Sequence, residues 1–344
     1  MSSLKRLLRW ILVASALTYP PVIVAVLLTQ ALVGEAWWPT MIALYLPPIA
    51  FAVPLPFIVV GLLVWGPRRL LLLQVLAAAI IAFPLMGLKL GIGRPAAATR
   101  APTLRILSYN VGFGRYGDAS ELHLRLEEAA SRADVVVLQA ISRDMIGPLE
   151  KLFAGHLTRR AGEFFVASRY PIIDFMVPDL IDGDLKPEFV RVTLATPLGV
   201  LDVFETHPES PRHAFEAVRD QGVRGLLQFS GAVEAELLRN SRLRERQVAA
   251  VAEAARRSTR PVLIAGDTNL PELSPLFRRY FREYTDGFAE VGRGFGYTFP
   301  SHRWIPWMRI DRVLASSALR FLDFDVCSGL GSDHYCVIAE VTRR

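Results

Sequence analysis

The chain begins with long apolar stretches and then changes period. Trp10–Gly34, Ala36–Pro67 and Leu70–Leu88 run for 25, 32 and 19 residues without a charge. About 20 apolar residues cross a bilayer as a helix, so each stretch predicts a transmembrane segment. Three in succession are also unlike a cleaved secretory leader. Pro20, Pro21, Pro47, Pro48, Pro54, Pro56 and Pro84 lie inside them. Neighbouring helices can re-satisfy the carbonyls that proline frees, so kinks are expected rather than breaks. The proline-laden second stretch also suits a buried core helix or a re-entrant segment.

From Leu104 the pattern shortens to β-type runs separated by helical stretches. Strands are predicted at Leu104–Asn110, Asp134–Gln139, Glu163–Ala167, Phe189–Ala195, Val200–Thr206, Pro261–Ala265, Arg309–Leu314, Arg320–Val326 and Tyr335–Val341. Helices are predicted at Ala119–Ser131, behind a capping-box pair Asp118 and Glu121, and around Arg242–Arg257. Many strands with few helices imply two packed sheets with outer helices, an α/β domain. The organisation is therefore a membrane region over residues 1–90, a small-residue, Gly/Pro-punctuated linker over 91–102, and a second domain over 103–344.

Charge sharpens this division. The net charge of +6 suggests a nucleic-acid partner until it is located. Residues 1–100 hold eight of the 39 basic side chains and one of the 33 acids, leaving 31 basic and 32 acidic groups afterwards. The second domain thus has no global electrostatic footprint for nucleic acid. Lys5, Arg6 and Arg9 precede the first stretch and Arg68–Arg69 separate the second from the third, whereas the first loop carries Glu35, Trp37 and Trp38. By the positive-inside rule the chain is a multi-pass protein of a bacterial-type inner membrane with its C-terminal domain outside the cytoplasm; Lys89 and Arg94 argue mildly against that orientation.

The polar residues closing the apolar runs carry the chemistry. They are Asn110, His207, the Gly266-Asp267-Thr268-Asn269 turn, Asp311, and Ser332-Asp333-His334. A single such residue is commonly a turn former or cap. Several together at strand ends point to a cleft above a sheet, because a core would not tolerate them.

The runs LRILSYNVG, ADVVVLQ, VASRYPI, ETHPES, LIAGDTN, RIDRVL and GSDHYCVI follow the order and spacing of the endonuclease/exonuclease/phosphatase superfamily, and residues 103–341 resemble it. The resemblance implies a DNase I-like four-layer α/β sandwich with two central β-sheets, behind about three transmembrane helices. It implies hydrolysis of a phosphoester with Mg²⁺ (or Mn²⁺). Asp267 would orient or deprotonate the attacking water, and Asn269 would donate to phosphate oxygens. His334 would be held cationic by Asp311, His207 would be the second imidazole at the phosphate, and Asn110 and Asp333 would belong to the metal site. One part departs from the pattern: where the family has Leu-Gln-Glu, this chain has Leu138-Gln139-Ala140. The lost carboxylate predicts weakened metal binding, and Asp144 is poorly placed to replace it. A membrane-tethered pseudoenzyme acting as a binding or scaffold domain is the competing expectation.

The implied partners are the lipid bilayer and a phosphoester that is either lipid-linked or a nucleic acid. Arg239, Arg242, Arg244 and Arg246 read as a solvated helix face with partners such as Glu245. Trp304 and Trp307 beside Arg303 suit either hairpin packing or a wedge at the rim of the site. The stretch 208–240 reads as a lid, a contact surface or a plain surface helix. Cys327 and Cys336 flank the Ser332-Asp333-His334 loop as a disulfide or as buried thiols.

Overall fold

The structure is a computed structural model that describes residues 3–91, 101–114, 119–179, 187–212, 214–216, 231–301, 305–327 and 331–344. Most of the linker, Asp118 of the capping box, Trp304 and much of the 208–240 stretch lie outside the described residues. The chain divides into two units, Met1–Leu88 with Pro271–Pro275, and Lys89–Leu270 with Leu276–Arg344.

In the first unit two helices are long and apolar enough to cross a membrane, Ser3–Leu32 and Arg68–Leu85. Pro20 and Pro21 sit inside the former without interrupting it. The middle stretch behaves differently. Trp38–Tyr45 and Pro48–Val64 meet at a bend of 93°, so a third crossing exists only if this broken pair counts as one span. Pro47 and Pro48 together remove two amide donors and force the preceding residue extended, which turns the expected kink into a break. Polar side chains tie the helices together: Gln74 donates to the Ala16 carbonyl at 2.8 Å, Gln30 to that of Ala43 at 3.0 Å, and the Tyr19 hydroxyl to that of Phe51 at 2.6 Å. Trp10, Phe57 and Leu72 are largely exposed, the outward apolar surface a bilayer would cover.

The second unit contains β1 (Lys89–Leu90), β2 (Leu104–Asn110), β3 (Val135–Gln139), β4 (Leu157–Ala161), β5 (Phe164–Ser168), β6 (Ile172–Met176), β7 (Phe189–Thr196), β8 (Gly199–Thr206), β9 (Val262–Asp267), β10 (Thr285–Asp286), β11 (Arg293–Gly294), β12 (Asp311–Ala315), β13 (Leu319–Val326) and β14 (Val337–Arg343). Two six-stranded sheets have the orders β13-β14-β2-β3-β5-β4 and β10-β12-β9-β8-β7-β6, and β1 pairs with β11. Each large sheet has one parallel pair at its centre, β2 with β3 and β8 with β9, and is otherwise antiparallel.

Alternation along the strands explains both the core and the position of the site. Leu104 and Ile106, Val135 and Val137, Leu201 and Val203, Leu263 and Ala265, and Val313 and Ala315 fill the space between the sheets. The opposite faces pack under helices. Leu107, Val136 and Leu138 lie with Leu122, Leu126 and Leu149 of the helices Ala119–Ser131 and Ile146–Leu152. Phe204, Ile264 and Leu314 lie with Val248, Val251, Leu276 and Phe281 of the helices Gly231–Arg256 and Pro275–Phe281. The result is a helix–sheet–sheet–helix sandwich of the DNase I-like type.

Candidate active site

At one end of the sandwich the same inward-facing rows stop being apolar. Two-residue periodicity carries β2 on to Ser108 and Asn110, β3 to Gln139, β8 to Glu205 and then His207, β9 to Asp267, and β12 to Asp311. The register sets Asp311 opposite Asp267 and Asn110 opposite Gln139. Residues far apart in sequence therefore meet on one floor.

Asn110 sits centrally. Its amide nitrogen donates to Asp267 Oδ2 at 2.9 Å and lies 3.3 Å from His207 Nε2 and 3.4 Å from His334 Nε2. Its amide oxygen accepts from the Gly112 amide at 3.0 Å. Both imidazoles are backed by an acid: His334 Nδ1 lies 2.9 Å from Asp311 Oδ2, and His207 Nδ1 lies 2.9 Å from Glu163 Oε1. Their other ring nitrogens lie 3.7 and 3.6 Å from Asp267 Oδ2. All of these side chains are buried.

Three buried carboxylates control the charge on His334. Burial opposes the imidazolium, but Asp311, Asp267 and Asp333 outweigh it and raise the pKa to about 9. Asp311 is itself raised by burial against the pull of His334, with Asp267 adding repulsion. At neutral pH His334 is therefore a cation.

The loop carrying Asp333 and His334 is bolted to its surroundings. The Ser332 hydroxyl donates to the Asn110 carbonyl at 2.6 Å, the Ser301 amide to the Asp333 carbonyl at 2.8 Å, and the Tyr335 amide to the Thr298 carbonyl at 2.8 Å. Cys327 and Cys336 form a disulfide with Cα atoms 5.1 Å apart, closing the base of that loop. The alternative of free thiols is thereby settled.

Asn269 lies in the left-handed region, φ 49°, with its amide N–H on Asp267 Oδ1 at 2.8 Å. Its side chain donates to the Pro208 carbonyl at 2.9 Å and so holds the segment after His207. Ala140 also has positive φ, 57°, and is 1% exposed; its carbonyl accepts from the Phe113 amide at 2.7 Å. The backbone turn is thus retained without the carboxylate. Asp144 is exposed on the following 3₁₀ turn and offers no replacement.

Three acidic or basic residues escaped sequence reading. Glu163, in the turn between β4 and β5, supports His207. Arg212 forms an ion pair with Asp333. Glu205 lies beneath the site, accepting from Gln139 at 2.9 Å. Burial, offset in part by that hydrogen bond, and the nearby Glu163 charge hold its carboxyl well above the usual carboxylate range. Only Glu205 left a trace in the sequence, as a charge at an inward position of a strand. Arg309 and Arg312, which flank Asp311, point elsewhere; both bind Asp286, whose carboxyl burial would raise but the two guanidiniums hold far below its ordinary value. On the arginine-rich helix Arg239, Arg242 and Arg246 are exposed as expected, Arg239 paired with Glu236, and the exception is Arg244. Arg244 is fully buried and donates to the Glu209 carbonyl at 3.2 Å, while Glu245 accepts from Arg279 on another helix.

Oxygen donors dominate the cluster, which bears on a divalent cation. Atoms of Asp267, Asp311 and His334 lie within 4.8 Å of one another. His334 Nδ1 is engaged by Asp311, and around its Nε2 the neighbouring ligand atoms are carboxylate oxygens. Asp267 and Asp333, both 2% exposed or less, flank His334 Nε2, with Asn110 beside them. Concentrated buried negative charge of this kind fits a hard, oxygen-ligated cation. Ala140 contributes no side-chain oxygen to the set.

No curated protein matches the chain significantly. Solved structures share the fold. TDP2 from D. rerio, in complex with a single-strand DNA product, aligns over 70% of this chain and 99% of its own at 16% identity and a TM-score of 0.55. A Bacteroides vulgatus endonuclease/exonuclease/phosphatase aligns over 71% and 100% at 13% identity and 0.52. One from Beutenbergia cavernae aligns over 71% and 72% at 20% identity and 0.50. The model of the endonuclease/exonuclease/phosphatase family matches residues 107–334, from β2 to His334, and the chain belongs to that family.

Proposed function

We propose that the chain is a membrane-anchored phosphoester hydrolase in which water attacks phosphorus at the Asn110–Asp267–His334 cluster. The single observation that carries this reading is the convergence of Asn110, both imidazoles and Asp267 within 2.9–3.7 Å, each imidazole backed by its own acid. Asp267 orients the attacking water and takes its proton, since its Oδ2 is reached by Asn110 and by both rings. The His334 imidazolium, fixed by Asp311, stabilises charge developing on the phosphoryl oxygens. His207, oriented by Glu163, presents its other ring nitrogen to the same cluster and so to the same phosphoryl group. Asn269 holds the Pro208 segment beside the site through its side-chain amide. Asp267 and Asp333 would hold Mg²⁺ or Mn²⁺, which when bound supplies further neutralisation of the phosphoryl charge, whereas Asn110, expected as a ligand, turns its amide nitrogen to the cluster and its oxygen to Gly112. The apolar N-terminal helices support anchoring in a bilayer; a hydrolase domain outside the cytoplasm follows from the positive-inside reading if the bent pair Trp38–Tyr45 and Pro48–Val64 makes a third span.

Ala140 supports a second reading, a tethered binding domain that has lost turnover. Titration calorimetry of the full chain in detergent with Mg²⁺ and Mn²⁺ separates the two: binding is expected for the hydrolase, and its absence at millimolar metal favours the scaffold. A panel of nucleic acids, phospholipids and sugar phosphates then distinguishes substrate sources.

A further inference from the structure

The segment that follows His207 is held more firmly than an ordinary connection. Asn269 takes the Pro208 carbonyl at 2.9 Å, Arg244 the Glu209 carbonyl at 3.2 Å, and Asn240 the Ser210 carbonyl at 2.9 Å. The Gln247 side chain accepts from the Glu209 amide at 2.6 Å. Four side chains thus fix three consecutive residues, and two of the four, Arg244 and Gln247, are 2% exposed or less. Such a platform, followed by Pro211, determines where the side chain of Arg212 can stand.

Arg212 stands at the mouth of the site. Its guanidinium is ion-paired with Asp333 and lies 5.6 Å over the Phe299 ring, and that ring packs 4.7 Å from the His334 imidazole. The Asp333 side chain is 2% exposed whereas that of Arg212 is 35% exposed, so the cation covers the acid from the solvent side. It therefore meets an incoming anion before the buried groups do. A guanidinium presents a planar fork of donors matched to phosphoryl oxygens, and an aromatic face beneath it fixes the plane of that fork.

We infer that Arg212 is a substrate-binding residue of this site, receiving a non-bridging phosphoryl oxygen on the solvent side of the two imidazoles. The inference rests on the phosphoester reading above. It also accounts for how a site one carboxylate short, at Ala140, still gathers positive charge around a phosphoryl group: a fixed guanidinium contributes what a weakly held cation contributes less of.

Inorganic phosphate is the probe, titrated calorimetrically into the full chain in detergent for wild type, Arg212→Ala and Arg212→Lys, with thermal unfolding recorded on each. Phosphate affinity is expected to fall about tenfold or more in Arg212→Ala and by less in Arg212→Lys; Arg212→Lys keeps the charge pair and its unfolding temperature stays within about 2 °C of wild type, while Arg212→Ala also unpairs the buried Asp333 and unfolds at a lower temperature. Equal phosphate affinity in all three proteins, or no phosphate binding by wild type, overturns the assignment. So does a loss of affinity in Arg212→Lys that comes only with a large drop in its unfolding temperature, the signature of a structural ion pair. If Arg212-dependent phosphate binding is found in a protein that hydrolyses no ester, the hydrolase reading fails and the assignment of Arg212 stands.

Discussion

Asp311→Asn tests the electrostatic heart of the site in the metal-free protein. Asp311 and His334 are 1% and 4% exposed, with Oδ2 and Nδ1 2.9 Å apart. His334 has a pKa of about 9 against an ordinary 6.5. That difference corresponds to about 3 kcal/mol favouring the imidazolium in the folded state. Because the folded value is the higher one, the stabilisation is fully present below pH 6.5 and is lost as pH rises through about 9. For a domain of this size it amounts to roughly 6–12 °C in unfolding temperature. Removing the Asp311 charge leaves Asp267 and Asp333 to hold the proton, so the His334 pKa falls and the profile flattens. The assay is thermal unfolding in EDTA across pH 6–10, read as wild type minus variant, with ring-labelled histidine NMR following His334. The stability difference is expected to be largest at pH 6 and to shrink towards pH 10. A His334 titration near 6.5 in wild type, or a stability difference that does not depend on pH, refutes the reasoning.

Other consequences are equally direct. Ala140→Glu adds an anion next to Gln139, which pairs with Asn110 on the floor of the site, and so offers a divalent cation a further charged oxygen. Calorimetry should therefore show Mg²⁺ binding at least roughly tenfold tighter, with higher metal-dependent turnover, and unchanged affinity would contradict the place given to residue 140. Replacing Cys327 and Cys336 by serine removes a crosslink of sequence separation 9. A loop of that size predicts a loss of about 3 kcal/mol in denaturant unfolding, and no loss would mean the loop is held by Ser332, Ser301 and Tyr335 alone. Glu205→Gln should gain stability relative to wild type as pH rises from about 4.5. The raised carboxyl of wild type loses stability through that range, and a pH-independent difference would show that Glu205 is not held protonated.

Much of this arrangement is legible in the sequence, for identifiable reasons. All nine predicted strands exist, because each carries an apolar run long enough to show its period. The strands that escaped notice lack one. β4 reads Leu-Thr-Arg-Arg-Ala at a sheet edge, β6 contains the exposed Asp174, and β1, β10 and β11 are two residues long. The helix Ile146–Leu152 was masked by Gly147 and Pro148 near its start. Asn110, His207, Asp267, Asp311 and His334 were readable because polar residues at strand ends contradict the core around them. Glu163 was hidden by its place beside Gly162, where an acid looks like an ordinary turn residue, and Arg212 by lying in a segment without periodicity. Their roles arise only from pairing across 44 residues to His207 and 121 residues to Asp333. The break at residue 47 was equally out of reach, since proline alone does not say whether neighbouring helices compensate.

The central claim is that Asp267 acts on the attacking water in a cation-assisted hydrolysis. Its most direct test is turnover of bis-p-nitrophenyl phosphate by the full chain in detergent, wild type against Asp267→Asn, each with Mn²⁺ and with EDTA. The account predicts metal-dependent turnover in wild type that falls by about 100-fold or more in the variant. Turnover that survives both the substitution and the chelator would contradict it.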